Sequence, residues 1–381
     1  MSGATHDFDL HGVVGVRLLD AAPGDVATVA RQLGLPTTAL DRDPDIVVRF
    51  VDVATHRPLT YVGVGETGFN EDGFFVLRGR GGSAGRMRLP FDEVGRSPEL
   101  VCERSLPAVP HLLSVVNLVA LTKNVLPLHA SAFTIGSFGV LVMGWSKGGK
   151  TEALLAAVQR GASYVGDEWV YLTEDGEMLG LPEPIRLWDW HLEQFPELLN
   201  VRPRADRARL SAWRGVGAAV GRAAASGLPG AGLARRLQPL AQRQAYLRIP
   251  PEELFGPDRM VLRRHLDAAV LLLSHSSPDI TAGIAGPSEV SGRMAASLAA
   301  ERAVFLTHYR QFRFAFPDRP SPLLEFANVL EAELLAARFD HRTCASVSHA
   351  HPCDIRALGD AVLAAARGVV EPAPSDPVGA A

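Results

Sequence analysis

Two lysines stand close together in the glycine-rich run Gly144-Trp145-Ser146-Lys147-Gly148-Gly149-Lys150-Thr151. The chain of 381 residues has 35 Arg but only three Lys, the third being Lys123, so nearly every other cation is a guanidinium. A compact, flexible ammonium does a different job from a planar guanidinium, and its retention here points to chemistry. The run fits G-x-x-x-x-G-K-[ST]. It follows the apolar stretch 139–143 and opens a stretch of helical composition, 152–160, which is the setting of a phosphate-binding loop. In such a loop glycines let main-chain N–H groups turn inward around phosphates, and the helix N-terminus adds partial positive charge. Lys150 would reach the β and γ phosphates, and the Thr151 hydroxyl would hold Mg²⁺. The candidate nucleotide-binding set is therefore Gly144, Trp145, Ser146, Lys147, Gly148, Gly149, Lys150, Thr151 and Glu152, with ATP and Mg²⁺ as the expected cofactors.

Asp167 and Glu168 follow Lys150 by 17 and 18 residues. A helix, a turn and one strand fill that interval. The spacing predicts the two carboxylates at the far end of a strand beside the loop's own strand, at the phosphate end of a sheet. One acid can ligate Mg²⁺, for which Asp167 is the candidate with Thr151. The other can take a proton from an attacking hydroxyl. His129 lies 21 residues before Lys150; alone it reads as a structural histidine.

The elements around these residues predict an α/β fold with two parts. Residues 1–104 read as an accessory α/β module: a strand at 13–19, a helix at 25–33, and short β-branched and aromatic runs at 46–53, 59–64, 74–77, 87–91 and 100–103, forming a mostly antiparallel sheet. Residues 105–367 read as the nucleotide domain: a buried helix at 110–123, strands at 126–134 and 139–143, the loop and its helix, strands at 163–165, 169–172 and 268–273, and helices at 292–302, 322–337 and 355–367. An Arg-, Ala- and Gly-rich helical insertion spans 202–248, broken at Gly227-Leu228-Pro229-Gly230. Residues 368–381 read as a disordered tail.

Composition narrows the function. A chain 47% hydrophobic and 21% charged can bury a core, and its net charge of −4 argues against binding nucleic acid by overall charge. The sequence has no apolar run of the ~18 residues of a membrane span and no signal-peptide pattern at its start, so a cytoplasmic protein without a membrane partner is expected. Three cysteines do not make a disulfide scaffold. His341, Cys344, His349, His351 and Cys353 cluster in sequence, but C-x4-H-x-H-x-C matches no common zinc spacing.

The segment Leu128-His129-Ala130-Ser131-Ala132, then Gly139-Val140-Leu141-Val142, the loop, and Gly161-Ala162-Ser163-Tyr164-Val165-Gly166-Asp167-Glu168 resembles the catalytic domain of HPr serine kinase/phosphorylase and its relatives. The match is close over 127–172. The resemblance implies a P-loop kinase core of the HPr kinase/PEP carboxykinase type that phosphorylates a serine-like hydroxyl of a protein, peptide or small molecule, often as a homo-oligomer. It implies Lys150 and Thr151 at the nucleotide phosphates and Mg²⁺, Glu168 in the place of the general base with Asp167 as its acidic neighbour, and His129 beside the γ-phosphate. Lys147 stands where the family has glycine, Thr151 where it has serine, and Glu168 is one methylene longer than the usual Asp. The family's downstream glycine-rich signature is replaced by Glu183-Pro184-Ile185-Arg186-Leu187-Trp188-Asp189-Trp190-His191. In that stretch Arg186 can meet a phosphate or a structural acid, and Trp188, Trp190 and His191 can line a substrate site or pack as core. A weakly catalytic ATP-binding regulatory or scaffold protein and a P-loop NTPase are the alternative functions.

Overall fold

The computed structural model describes residues 5–63, 65–78, 84–200, 202–226, 232–233, 236 and 245–370. The first sheet is built from β1 (His6–Leu10), β2 (Val14–Leu19), β3 (Ile46–Val51), β4 (Thr60–Val62), β5 (Thr67–Asn70), β6 (Gly73–Arg78), β7 (Ala84–Arg88) and β8 (Glu99–Glu103), in the order β1-β2-β3-β8-β7-β6-β5-β4. Helix α1 (Pro23–Leu33) makes the crossover that lets β2 and β3 run parallel. The β3–β8 pair is also parallel and the remaining pairs are antiparallel, as the short aromatic runs predict. Two strands were not legible: β1, an alternating HDFDL of acids and apolars, and β5, the short TGFN.

The second sheet follows α2 (Leu112–Thr122), whose eight buried residues leave almost no polar face. Strands β9 (Leu126–Ile135) and β10 (Phe138–Gly144) form an antiparallel hairpin, and α3 (Lys150–Gln159) follows the loop. Next come β11 (Ser163–Gly166), β12 (Trp169–Leu172), β13 (Glu177–Gly180) and β14 (Ile185–Trp188). After β14 the chain forms α4 (Asp189–Gln194), α5 (Glu197–Asn200) and α6 (Arg204–Ala225). It then returns as β15 (Tyr246–Ile249), which pairs with β14 as a separate ribbon. The expected 202–248 insertion is thus a helix to Ala225 and, at its end, a strand; the break at Gly227–Gly230 lies outside the described residues. After α7 (Pro251–Phe255) come β16 (Arg263–His265), β17 (Ala268–His275), β18 (Thr281–Ala285), α8 (Pro287–Ala315), α9 (Pro322–Phe339), β19 (Cys344–Ala350) and α10 (Ile355–Val370). The sheet order is β16-β13-β12-β9-β10-β17-β19-β18, with β11 also on β9. The residues 368–370, expected in a tail, complete the last turn of α10; 371–381 lie outside the described residues.

Strands β10 and β17 are buried on both faces, which explains their unbroken apolar sequences. Alternate residues supply two cores. Val140, Val142, Val270 and Leu272 meet α3 and α10, where Gly359 lets α10 approach so closely that an added Cβ would lie 2.3 Å from the Ala156 Cβ. Leu141, Met143, Ala269 and Leu271 join the other core with α2, α8 and α9. That second core does not stop at the sheet. It runs on into the first sheet through Phe74 and Phe91, which pack against Phe305, Tyr309 and Phe312 of α8. The described residues of 5–104 therefore share one hydrophobic core with the second sheet and its helices. The expected helix 292–302 is the middle of α8, which spans 29 residues because the aromatic-rich 303–315 stays helical to cover this core. No helix among the described residues is long and apolar enough to cross a membrane.

Candidate functional site

The glycine-rich loop joins the end of β10 to α3, and its backbone explains its composition. Gly144 and Gly149 have φ of 157° and 98°. Lys147 has φ of 63°, a left-handed conformation that glycine adopts at least cost, at the position where the resembling family has glycine. Trp145 is 56% exposed. Lys150 is buried, and its Nζ donates to the carbonyls of Gly144 (3.3 Å) and Trp145 (2.9 Å). Ser131 on β9 donates to the Lys150 carbonyl at 2.9 Å, fixing the first turn of α3 against the sheet. Burial pushes the Lys150 ammonium below its ordinary value, and Glu168, Asp167, Glu301 and Glu152 offset that in part.

The paired acids sit where one long strand is interrupted. β11 and β12 both pair antiparallel with β9; the register slips inside β11, between Tyr164 and Gly166, and Asp167 and Glu168 separate the two strands. Glu168 lies in this break with φ of 64°. The expectation of a strand directly beside the loop's strand needs correction: β9 lies between β10 and β11. β10 and β11 both run antiparallel to β9, so β11 still ends at the end of the sheet where the glycine-rich loop begins. Asp167 is buried, with Oδ2 accepting from Thr151 Oγ1 at 3.3 Å. Glu168 is half-buried and faces His129, whose Nε2 lies 3.0 Å from Oε2.

A third carboxylate arrives that no local spacing announced. Glu301 on α8 places Oε1 2.9 Å from His129 Nδ1, an ion pair off the line of a hydrogen bond. His129 is thus held between two acids and lies against the Trp169 ring, 5.7 Å between centroids. The neighbouring Arg302 is anchored to Glu331 and Asn328 of α9, which ties this turn of α8 in place.

These contacts set the charge states. Burial disfavours the His129 imidazolium, but Glu168 and Glu301 together outweigh it and raise its pKa. The same hydrogen bond from His129 holds Glu168 below the usual carboxylate range, helped by Arg186 and Lys150. Asp167 is pushed up to about 7 by burial and by the Glu168 charge, against the pull of Lys150. Two adjacent carboxyls are thereby driven apart, one toward the proton and one away from it, a pattern that separates roles at catalytic sites.

Glu152 has a different place from the rest of the loop set. It is buried, and its carboxylate accepts from His191 Nε2 at 3.1 Å, while His191 Nδ1 accepts from the Trp188 N–H at 3.1 Å. Trp188 packs on Tyr246 and Trp190 on His351, so these aromatics are packing residues. Arg186 lies over the rings of Tyr246 (5.1 Å) and Trp188 (5.7 Å). Cys344 is buried at the start of β19, and His349 is buried near its end. Among the described residues no group of three or more His, Cys, Asp or Glu side chains could hold a metal ion by itself.

No protein-family model matches the chain, and no curated protein matches it.

Proposed function

We propose that the protein is an ATP- and Mg²⁺-dependent phosphotransferase that moves the γ-phosphoryl group to a hydroxyl, in the manner of the HPr serine kinases its motifs resemble. The observation that carries this reading is the split between the two acids: Asp167 beside the Thr151 hydroxyl, Glu168 beside His129. A hydroxyl and a carboxylate 3.3 Å apart form a hard oxygen donor pair. Mg²⁺ is commonly held by one or two such protein oxygens plus substrate phosphates, so Thr151 and Asp167 would hold it with the nucleotide. Bound there, the ion would offset charge on the phosphates.

The protein groups divide the remaining work. The loop N–H groups and the α3 N-terminus cradle the phosphates. Lys150 exchanges the carbonyls of Gly144 and Trp145 for phosphate oxygens. Glu168 accepts the proton of the acceptor hydroxyl as that oxygen bonds to the γ-phosphorus, and the bond to the β-bridging oxygen breaks with its electron pair leaving on ADP. His129 stabilises the ionised Glu168 before transfer, and Glu301 sustains the charge on His129. Glu168 is half-exposed, so an acceptor can reach it. Serine-bearing proteins or peptides and small hydroxyl compounds remain the acceptor classes.

The test is transfer of label from γ-labelled ATP with Mg²⁺ to components of a fractionated host extract, with Lys150→Ala as control. Label on one acceptor with the wild type, reduced at least about 10³-fold in the variant, supports the reading. Normal transfer by Lys150→Ala overturns it. Tight ATP binding with no label moved favours a nucleotide-gated regulatory protein, and steady phosphate release without an acceptor favours an NTPase.

A further inference from the structure

His349 belongs to the Cys/His cluster whose spacing matches no common zinc pattern, and it packs against the glycine-rich loop instead. It has 0% exposure on β19, two strands from the loop's own strand. Its Nε2 lies 3.0 Å from the Gly148 carbonyl oxygen, and its Nδ1 lies 2.6 Å from that of Ala350. A Cβ on Gly149 would stand 2.5 Å from Nε2, so the loop rests directly on the imidazole.

An imidazole nitrogen bonds to a carbonyl oxygen only when it carries a proton, and a neutral ring has a single proton for the two carbonyls beside it. In a trans peptide, the carbonyl and the following N–H point in opposite directions. A Gly148 carbonyl turned down onto the imidazole therefore turns the Gly149 N–H up, into the space the loop encloses. That N–H sits at the N-terminus of α3, where phosphate oxygens are best received.

We infer that His349 is a positioning residue for the phosphate-binding loop: Nε2–H donates to the Gly148 carbonyl and holds that peptide plane so that the Gly149 N–H faces the nucleotide phosphates. The inference rests on the nucleotide reading above. The chain beyond β19 is braced for this task. Gln194 on α4 donates to the Cys353 carbonyl and accepts from the Ile355 N–H, each at 2.9 Å. His191, on the same short helix, holds Glu152 of α3. Helix α4 thus links the segment that carries His349 to the helix that the loop opens.

The experiment is calorimetric titration of the full-length protein with Mg·ATP, comparing wild type, Lys150→Ala, His349→Gln and His349→Leu. Glutamine can place an amide N–H where Nε2 stands; leucine fills space without a donor. The Leu variant should bind about tenfold more weakly, and the Gln variant within about threefold of wild type, as expected when a buried acceptor loses or keeps its donor. Equal affinities for Leu and wild type overturn the inference, as do equal losses in Leu and Gln. If wild type binds no ATP, the nucleotide reading falls and this one with it. If wild type binds and only Lys150→Ala weakens, this inference alone falls. A second measurement needs no variant: histidine ¹⁵N-labelled wild type should show His349 Nε2 protonated and slow to exchange with water. A bare lone pair at Nε2 overturns the assignment.

Discussion

The two sheets of this molecule handle charge in opposite ways. On the first, acids and arginines meet near water: Arg17 with Asp7 and Arg42 with Asp9, while Arg49 bridges Asp20 and Glu99 and is itself 39% exposed. At the end of the second sheet that carries the glycine-rich loop, Lys150, Asp167 and His129 are buried, in a cluster that includes Glu168 and Glu301. Exposed pairs add little to stability, whereas buried ionised groups cost several kcal/mol each unless well paired. One region spends its charges on solubility and register. The other keeps them at a thermodynamic disadvantage, which is the condition in which a carboxyl or an amine is ready to exchange partners with a ligand.

The largest effect separating the regions should come from Glu168→Gln. Loss of the base should lower kcat by about 10²–10⁴-fold while leaving the affinity for ATP close to wild type, measured by label transfer and calorimetry. Undiminished turnover would move the chemistry away from this cluster. Next comes Asp167→Asn. The folded-state pKa of Asp167, about 7, lies above its ordinary 3.8, so ionising it at high pH costs the folded state. That cost is absent well below pH 3.8, where both states hold the proton, and grows as pH rises to about 7. The Asn variant should therefore melt higher than wild type at pH 8, by roughly 2–4 °C per kcal/mol relieved, with the gain shrinking steadily as pH falls toward 3.8. A melting point at pH 8 no higher than wild type would show that Asp167 is not under strain. The smallest effect belongs to the first sheet: Arg49→Gln should cost less than about 1 kcal/mol in chemical denaturation and leave transfer unchanged. A larger loss there would erase the contrast.

The parts of the site visible in the sequence are those whose spacing is local. The loop, Thr151, Asp167 and Glu168 lie within one strand-loop-helix-strand unit, where element lengths alone bring them to one end of the sheet. Glu301 and His349 come from distant segments, 172 and 220 residues after His129, and no local spacing points to them. A signal for Glu301 did exist. The buried stripe Val290, Met294, Leu298, Phe305, Tyr309, Phe312 of α8 lacks an apolar residue at 301–302, where an exposed Glu301 stands at the stripe's edge beside a buried Arg302. Charges that interrupt an apolar stripe point to partners, and here they have them in His129 and Glu331. Reading 292–302 as a separate short helix hid the stripe's continuation. The division at residue 104 rested on a run of short strand-like segments, and such a pattern carries no information about Phe74 and Phe91 packing on Phe305 and Phe312, so the shared core was not legible.

Trp145 is more than half exposed on the loop itself, a large apolar surface left in water at the mouth of the site. The chain has five tryptophans, and this one sits on the segment that must rearrange when Lys150 releases the carbonyls of Gly144 and Trp145. The protein therefore carries its own optical reporter: indole emission from position 145 should change as the loop closes on a ligand. Rapid mixing could then time occupancy without any dye, and Trp145→Phe would identify the signal by removing it.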